Sequence, residues 1–273
     1  KIILINLIML FFSKKFRPTI QKRFDLKNSR KEFFTRKNKN LKFLLNKRYL
    51  WMKKYLKKKK IIIELGSGNG LLKNILNNKK ILLSDIENYN WIDLKINMNK
   101  IRLKKKYINK VDVFIINHAL HHCAYPAKLL KELSKYLKED GYILINDPEI
   151  SLSFKFFLYI LNHEGWSMDS NVFNFNKPVF PPKNSWYSDN AIAFHLFNNK
   201  KKFNKYFPKY KVEINKLNEF SVFLNSGGVV SKSFFIPLNN LLLMILDNID
   251  NILIFFFPRI FALNRQVVLK KIT

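Results

Sequence analysis

A few short stretches of this 273-residue sequence hold most of the side chains able to do chemistry. Glu64-Leu65-Gly66-Ser67-Gly68-Asn69-Gly70 packs three of the chain's seven glycines into five positions, denser than background frequency explains. Such a loop lets a ligand approach bare backbone, and when a helix follows, its first free N–H groups face that ligand. Asp85 follows about twenty residues later, where a carboxylate at a strand end can accept both ribose hydroxyls of a nucleoside. Asn117-His118-Ala119-Leu120-His121-His122 crowds three of the five histidines into one turn, and His163-Glu164 sets another imidazole beside a carboxylate. An imidazole can take a proton near neutral pH, and a neighbouring carboxylate can orient it or bind a sugar hydroxyl. The plainer alternative for His163-Glu164 is a capping pair at a surface turn. His118, His121 and His122 are also metal-ligand types, but a site needs suitably placed partners, and no metal is expected.

The elements around these residues read as alternating strands and helices. Ile61 to Leu65 is a short β-branched run, the glycine loop closes it, and Leu71 to Leu76 continues at helical spacing. Ile81 to Asp85 is a second strand, and a third strand with its helix is fainter across Trp91 to Lys106. Val111 to Asn117 reads as a buried strand. From Pro126, Leu129, Leu130, Leu133, Tyr136 and Leu137 share a helical face, Gly141 closes that helix, and Tyr142 to Ile145 is the next strand, ending at Asn146-Asp147. This alternation predicts a parallel sheet covered by helices on both faces. Tyr210 to Ile214, Phe220 to Leu224 and Gln266 to Lys270 read as further strands, the last two antiparallel at an edge. The expected organisation is a basic helical extension over 1–59, a core over 60–150, and a cap with the end of the sheet over 151–273.

Composition narrows the class. A hydrophobic content of 48% with 15% aromatics can fill a core, which excludes wholesale disorder. Fifty Lys and Arg against nineteen Asp and Glu give a net charge of +31, a balance that suggests nucleic acid or an anionic membrane. Only eight of those fifty are Arg, the residue suited to bidentate phosphate recognition, and the chain is rich in Lys, Asn, Ile and Phe, so codon bias accounts for much of the excess. The lone Cys123 excludes an internal disulfide and points to a reducing compartment. The apolar run Ile2 to Phe12 is too short to span a bilayer and is expected to be a buried or interfacial helix. Leu238 to Phe257 is very apolar, but Asp247 and Asp250 interrupt it, so a buried or membrane-surface helix is expected there.

The glycine spacing separates cofactor classes. A dinucleotide loop has glycines at its first, third and sixth positions, whereas here the third glycine is fifth and Leu71 is sixth; no Gly-Lys-Ser/Thr follows, which excludes a Walker loop. Through Ile62 to Gly70, Asp85 and the stretch Val111 to Asp147, the chain resembles the class I S-adenosylmethionine-dependent methyltransferases. His163-Glu164, Ser188-Asp189-Asn190-Ala191, Asn225-Ser226-Gly227-Gly228 and Asn264 to Leu269 are similar to a less characterised bacterial subgroup of that family. The resemblance implies a doubly wound, mostly parallel, seven-stranded Rossmann-like α/β sheet with N-terminal helices and a C-terminal acceptor cap. It also implies S-adenosylmethionine as cofactor, with Gly66, Ser67, Gly68, Asn69 and Gly70 under the methionyl part and Glu64 anchoring its ammonium. Asp85 would then hold the ribose hydroxyls, Ile86 would lie against the adenine and Asn97 would accept the adenine amino group. Asn117 and His118 would border the methyl end.

The expected reaction is methyl transfer to an oxygen, nitrogen or carbon of a small-molecule acceptor, a sugar or cell-envelope precursor, with His163, Glu164 and His122 as the candidate catalytic groups. Alternatives are an RNA methyltransferase, prompted by the charge, and a non-catalytic nucleotide-binding protein of the same fold. No separate RNA-binding module is evident, so nucleic acid is not favoured. The expected location is cytoplasmic, with peripheral contact at the inner membrane surface; the oligomeric state is left open.

Overall fold

Strands of β-branched residues that alternate their side chains between two faces need an apolar layer on each side. The computed structural model, which describes residues 13–17, 25–35, 38–162, 164–182, 186–230 and 232–272, supplies both layers. The run Ile2 to Phe12 and His163 lie outside the described residues.

In chain order the elements begin with β1 (Lys15–Phe16), α1 (Leu26–Thr35), α2 (Lys39–Tyr49), α3 (Lys53–Leu56), β2 (Ile62–Leu65), α4 (Leu72–Ile75), β3 (Ile81–Asp85) and β4 (Leu94–Lys95). They continue with β5 (Val111–Asn117), α5 (Pro126–Tyr136), β6 (Leu137–Pro148), α6 (Leu152–Leu161), β7 (Trp166–Ser167), α7 (Ile192–Phe197) and α8 (Lys200–Tyr206). The last are β8 (Tyr210–Asn218), α9 (Ser221–Leu224), α10 (Asn240–Phe256), α11 (Pro258–Phe261) and β9 (Asn264–Lys271).

Seven strands form one sheet in the order β4-β3-β2-β5-β6-β9-β8, and β9 alone runs against its neighbours. Ile63, Leu65, Phe114, Ile116, Ile143 and Ile145 face one layer, which α5 and α7 cover. Ile62, Val113, Ile115, Leu144 and Val268 face the other, packed on Leu45, Tyr49 and Met52 of the N-terminal helices. The sheet is the doubly wound, mostly parallel α/β arrangement expected, and the last two of its strands come from the C-terminal half of the chain.

Several local expectations are corrected. Phe220 to Leu224 is not a strand: the N–H groups of Phe220, Ser221 and Val222 donate to the Asp250 carboxylate at 3.1, 3.0 and 3.0 Å, which caps a helical turn at α9. The antiparallel edge is instead made by β8 and β9. Gly141 does not close α5. Asn109 and Lys110 N–H groups donate to the Lys135 and Tyr136 carbonyls, which draws the chain into the sheet at Leu137, and Gly141 lies inside β6 beside a register shift. The third strand shrinks to Leu94–Lys95, followed by 3-10 turns rather than a full helix.

The apolar segment 238–257 forms α10 but is not buried throughout. Leu243, Asp250 and Ile254 face inward, while Leu241, Met244, Ile252 and Phe255 are exposed, and Asp247 pairs with Lys47. Among the described residues, no helix is long and apolar enough to cross a membrane.

Candidate active site

The chain leaves β2 toward β3 and β4 on one side and returns to β5 on the other, so the loops after β2 and β5 diverge and open a crevice at the carboxyl ends of the strands. A cavity of about 830 Å³ fills that crevice. Of the residues singled out in the sequence, Glu64, Gly66, Ser67, Gly68, Asn69, Asp85, Ile86, Asn97, Asn117, His118, His122 and Glu164 line it. Gly70 does not. Its φ is +65°, a Cβ there would stand 2.5 Å from Trp91, and its carbonyl accepts from Arg30, so it shapes the loop from behind.

The glycine loop turns on left-handed backbone at Gly66 (φ +66°) and Gly68 (φ +51°). A Cβ on Gly66 would lie 2.6 Å from Ala119, whereas one on Gly68 would meet nothing within 4 Å because that position faces the open cavity. Gly68 N–H donates to Asp85 Oδ2 at 2.9 Å, and Trp91 Nε1–H donates to the Gly68 carbonyl at 2.9 Å, which ties the loop to the end of β3. Asp85 Oδ1 accepts from Glu87 N–H at 3.1 Å.

Glu64 ends the column of inward side chains that starts at Ile62, and only 3% of it is exposed. Among the described residues, its Oε2 has no hydrogen-bond partner. Burial pushes the carboxyl up to about 8; a hydrogen bond from Ser67 works against this and the Asp85 charge adds to it. A buried carboxylate oxygen with nothing to accept is suited to a cationic ligand group.

Across the crevice, asparagine amides form a chain. Asn264 Nδ2 donates to Asn146 Oδ1 at 2.7 Å, Asn146 Nδ2 to Asn117 Oδ1 at 2.9 Å, and Asn117 Nδ2 to the Tyr49 hydroxyl at 3.0 Å. This fixes Asn117 at the cavity wall. His118 beside it has φ +47° and a buried Nε2 without a partner among the described residues; burial, then the Arg48 charge, hold its pKa well below the ordinary imidazole value, so it is neutral. Arg48 is committed to Glu219 through contacts of 3.0 and 2.7 Å.

At the far end of the cavity, His121, His122 and Glu164 converge. His121 Nδ1 lies 2.9 Å from Asp147 Oδ1, and its Nε2 lies 3.8 Å from Glu164 Oε2. His122 Nδ1 donates to the Tyr187 carbonyl at 3.0 Å, and its Nε2 is 4.0 Å from Glu164 Oε1. Asn190 Nδ2 donates to Glu164 Oε2 at 3.0 Å. Burial disfavours charge on His121, yet Asp147 beside it lifts its pKa above the usual value, with Glu164 adding to the effect. The three ligand-type atoms lie within 4.8 Å of one another, close enough to hold a metal ion.

Glu164 and His122 are catalytic candidates from the sequence and lie in this cluster; His121, Asp147, Tyr49 and Asn190 join the site only through the fold. Two signals were visible: His121 sits in the histidine turn and Asp147 ends its strand. Nothing local says that Asn190 meets Glu164.

A family model described as a methyltransferase domain matches residues 31–196. A search of curated proteins finds no match. Among solved structures, the chain is similar to a SAM-dependent methyltransferase from Archaeoglobus fulgidus, at 17% identity over 88% of this chain and 98% of that one, with a TM-score of 0.47. A SAM-dependent methyltransferase from Aquifex aeolicus aligns at 14% identity over 92% and 100%, with a TM-score of 0.42. The plantazolicin methyltransferase BpumL, solved with a triazolic desmethylPZN analog and SAH, aligns at 15% identity over 90% and 91%, with a TM-score of 0.43.

Proposed function

The chain belongs to the methyltransferase-domain family and is an S-adenosylmethionine-dependent methyltransferase, and from that premise we propose that it methylates a small molecule, a sugar or cell-envelope precursor, inside the cavity described above. The observation that carries this is that one and the same cavity is lined by the glycine loop and Asp85 and by His121, His122 and Glu164. Its volume is in the upper part of the range of ligand pockets, which leaves space for an acceptor beside a cofactor. Its lining cations among the described residues are Arg48 and Lys232, which pair with Glu219 and Glu32, so the cavity offers little to a polyphosphate backbone. That supports a small acceptor over RNA despite the +31 charge.

Two features fit the cofactor: the buried Oε2 of Glu64, which has no partner among the described residues and suits an ammonium, and Gly68, where no described residue obstructs close approach to the backbone. When bound, S-adenosylmethionine supplies an electrophilic methyl group on a sulfonium. Glu64 holds the amino group, Gly66 to Asn69 present their backbone, and Asp85 accepts the ribose hydroxyls. Ile86 and Asn97 flank the adenine, and Asn117 and neutral His118 border the methyl end. Glu164, His122 and His121 hold the acceptor's nucleophile and receive its proton, with His163 adjacent in sequence. Much of the rate comes from holding the two reactants in line in a water-poor pocket.

The test is transfer of labelled methyl to a panel of hydroxylated glycans and lipid-linked sugars. Glu164→Ala and His122→Ala are each expected to lower turnover by a factor on the order of 10² to 10⁴ with cofactor affinity within about twofold of wild type. Wild-type turnover in both variants would remove these residues from the chemistry.

Glu64 gives a pH dependence. In the unliganded protein its carboxyl, facing Asp85, Ser67 and Tyr49, keeps a proton up to about pH 8 and must lose it to pair with an ammonium. Affinity for S-adenosylhomocysteine is therefore expected to rise between about pH 6 and 7.5, by up to about tenfold per unit, with proton release on binding. Calorimetry in buffers of different ionisation enthalpy reads both effects; Glu64→Gln should abolish the slope, and a slope that persists in that variant would contradict the assignment.

A further inference from the structure

We propose that His121, His122 and Glu164 form a binding site for a divalent first-row transition cation at the acceptor end of the cavity. The ligating geometry is assembled by groups outside the triad. The Tyr187 carbonyl can only accept, so His122 carries its hydrogen on Nδ1 and presents the Nε2 lone pair toward Glu164. The Asp147 carboxylate orients His121 in the same way, directing its Nε2 at the other oxygen of Glu164. Asn190 in turn fixes that carboxylate from Nδ2. Metal-bound histidines characteristically give their second ring N–H to a carboxylate or a backbone carbonyl, and both arrangements are present side by side.

Distances agree with this role. Ligands about 2.1 Å from a common ion are at most about 4.2 Å apart, so the 3.8 and 4.0 Å separations from Glu164 are in range, and the whole set lies within 4.8 Å. A small rotation of Glu164, whose side chain is 18% exposed, closes the rest. Two imidazoles and one carboxylate suit Fe²⁺, Mn²⁺, Co²⁺ or Zn²⁺ and disfavour Mg²⁺ and Ca²⁺, which want oxygen. Buried Asp147 and Asp189 near His121 add a negative field that favours a cation.

Three protein ligands leave coordination positions open toward the cavity. With the ion bound, the three residues would hold it rather than act as bases; an acceptor's oxygen bound there would be positioned by the ion and would part with its proton more readily, the proton passing to water at the open side of the cavity. This consequence rests on the reading of the cavity as the methyl-transfer site; binding of the ion does not.

The experiment is calorimetric titration of the chelator-stripped, desalted chain with Zn²⁺ and with Co²⁺, with the visible absorption of Co²⁺ as a second readout. One ion per chain at micromolar affinity is expected. His121→Ala and Glu164→Gln should each weaken binding at least 100-fold, Asn190→Ala about 10- to 100-fold, and His195→Ala, whose ring lies elsewhere on Ser167, not at all. Should the His121 variant fail to fold, Glu164→Gln at its partly exposed position decides. No binding by wild-type protein up to about 1 mM ion, or unchanged affinity in Glu164→Gln, overturns the proposal. Titrating S-adenosylhomocysteine into the same samples separates the two failures. Cofactor binding without an ion removes only the metal site, whereas ion binding without cofactor removes only the methyl-transfer reading.

Discussion

Gly68→Val should reduce affinity for S-adenosylhomocysteine by more than about 100-fold, a loss of at least about 2.7 kcal/mol. The glycine has φ +51°, which a β-branched residue adopts only with strain, and its missing side chain faces the cavity rather than protein, with no heavy atom within 4 Å of a built Cβ. A valine would therefore occupy the ligand's space and also pull on the Gly68 N–H bond to Asp85. Asp85→Ala is the milder companion: it removes the acceptor for two hydroxyls and the tether for the loop, and should cost about 1 to 3 kcal/mol of binding. Both are read by calorimetry, with thermal melts to show that the protein is folded. Affinity unchanged in both would mean that the cofactor binds elsewhere.

The second large effect is on stability. Arg265 of β9 meets Glu149 through Nε to Oε2 at 2.6 Å and Nη2 to Oε1 at 2.9 Å, and the two side chains are 4% and 3% exposed. Arg265 also donates to Asn215 Oδ1 at 2.6 Å, joining β8 to the chain just beyond β6. Arg265→Met leaves a carboxylate buried without its counter-ion and should cost about 3 to 5 kcal/mol in urea unfolding. Replacing both partners, Arg265→Met with Glu149→Leu, removes the stranded charge and should restore much of that loss. A single variant within about 1 kcal/mol of wild type would show that water reaches Glu149 and that the strand pairing does not depend on this contact.

What could be read from the sequence follows from how local each signal is. The glycine loop, Asp85 and the Asn117 to His122 turn are specified within a strand and its following turn, so their spacing alone brings them to one crevice. The meeting of Glu164 with His121, His122 and Asn190 needs loops from separate parts of the chain to pack over β5 and β6, and no spacing rule carries that information. Where a distant side chain intervenes, propensity loses: Phe220 to Leu224 has strand composition, yet Asp250 from α10 caps it into a helical turn. The end of α5 departs from the expectation for a related reason, because the backbone at Asn109 and Lys110 captures the Lys135 and Tyr136 carbonyls, six and five residues before Gly141. Gly70 belongs by spacing to the ligand cradle, but Trp91 packs against it from behind.

We propose that one cavity holds the cofactor by Glu64 and Asp85 and aims its methyl group at the His121, His122 and Glu164 cluster. A crystal structure of the chain soaked with S-adenosylhomocysteine would decide this. The expected result is the amino group within hydrogen-bond reach of Glu64 Oε2, both ribose hydroxyls on Asp85, and the sulfur directed along the cavity toward Glu164. A ligand bound outside the β2 and β5 loops, or bound inside them with its sulfur turned away from that cluster, would contradict it.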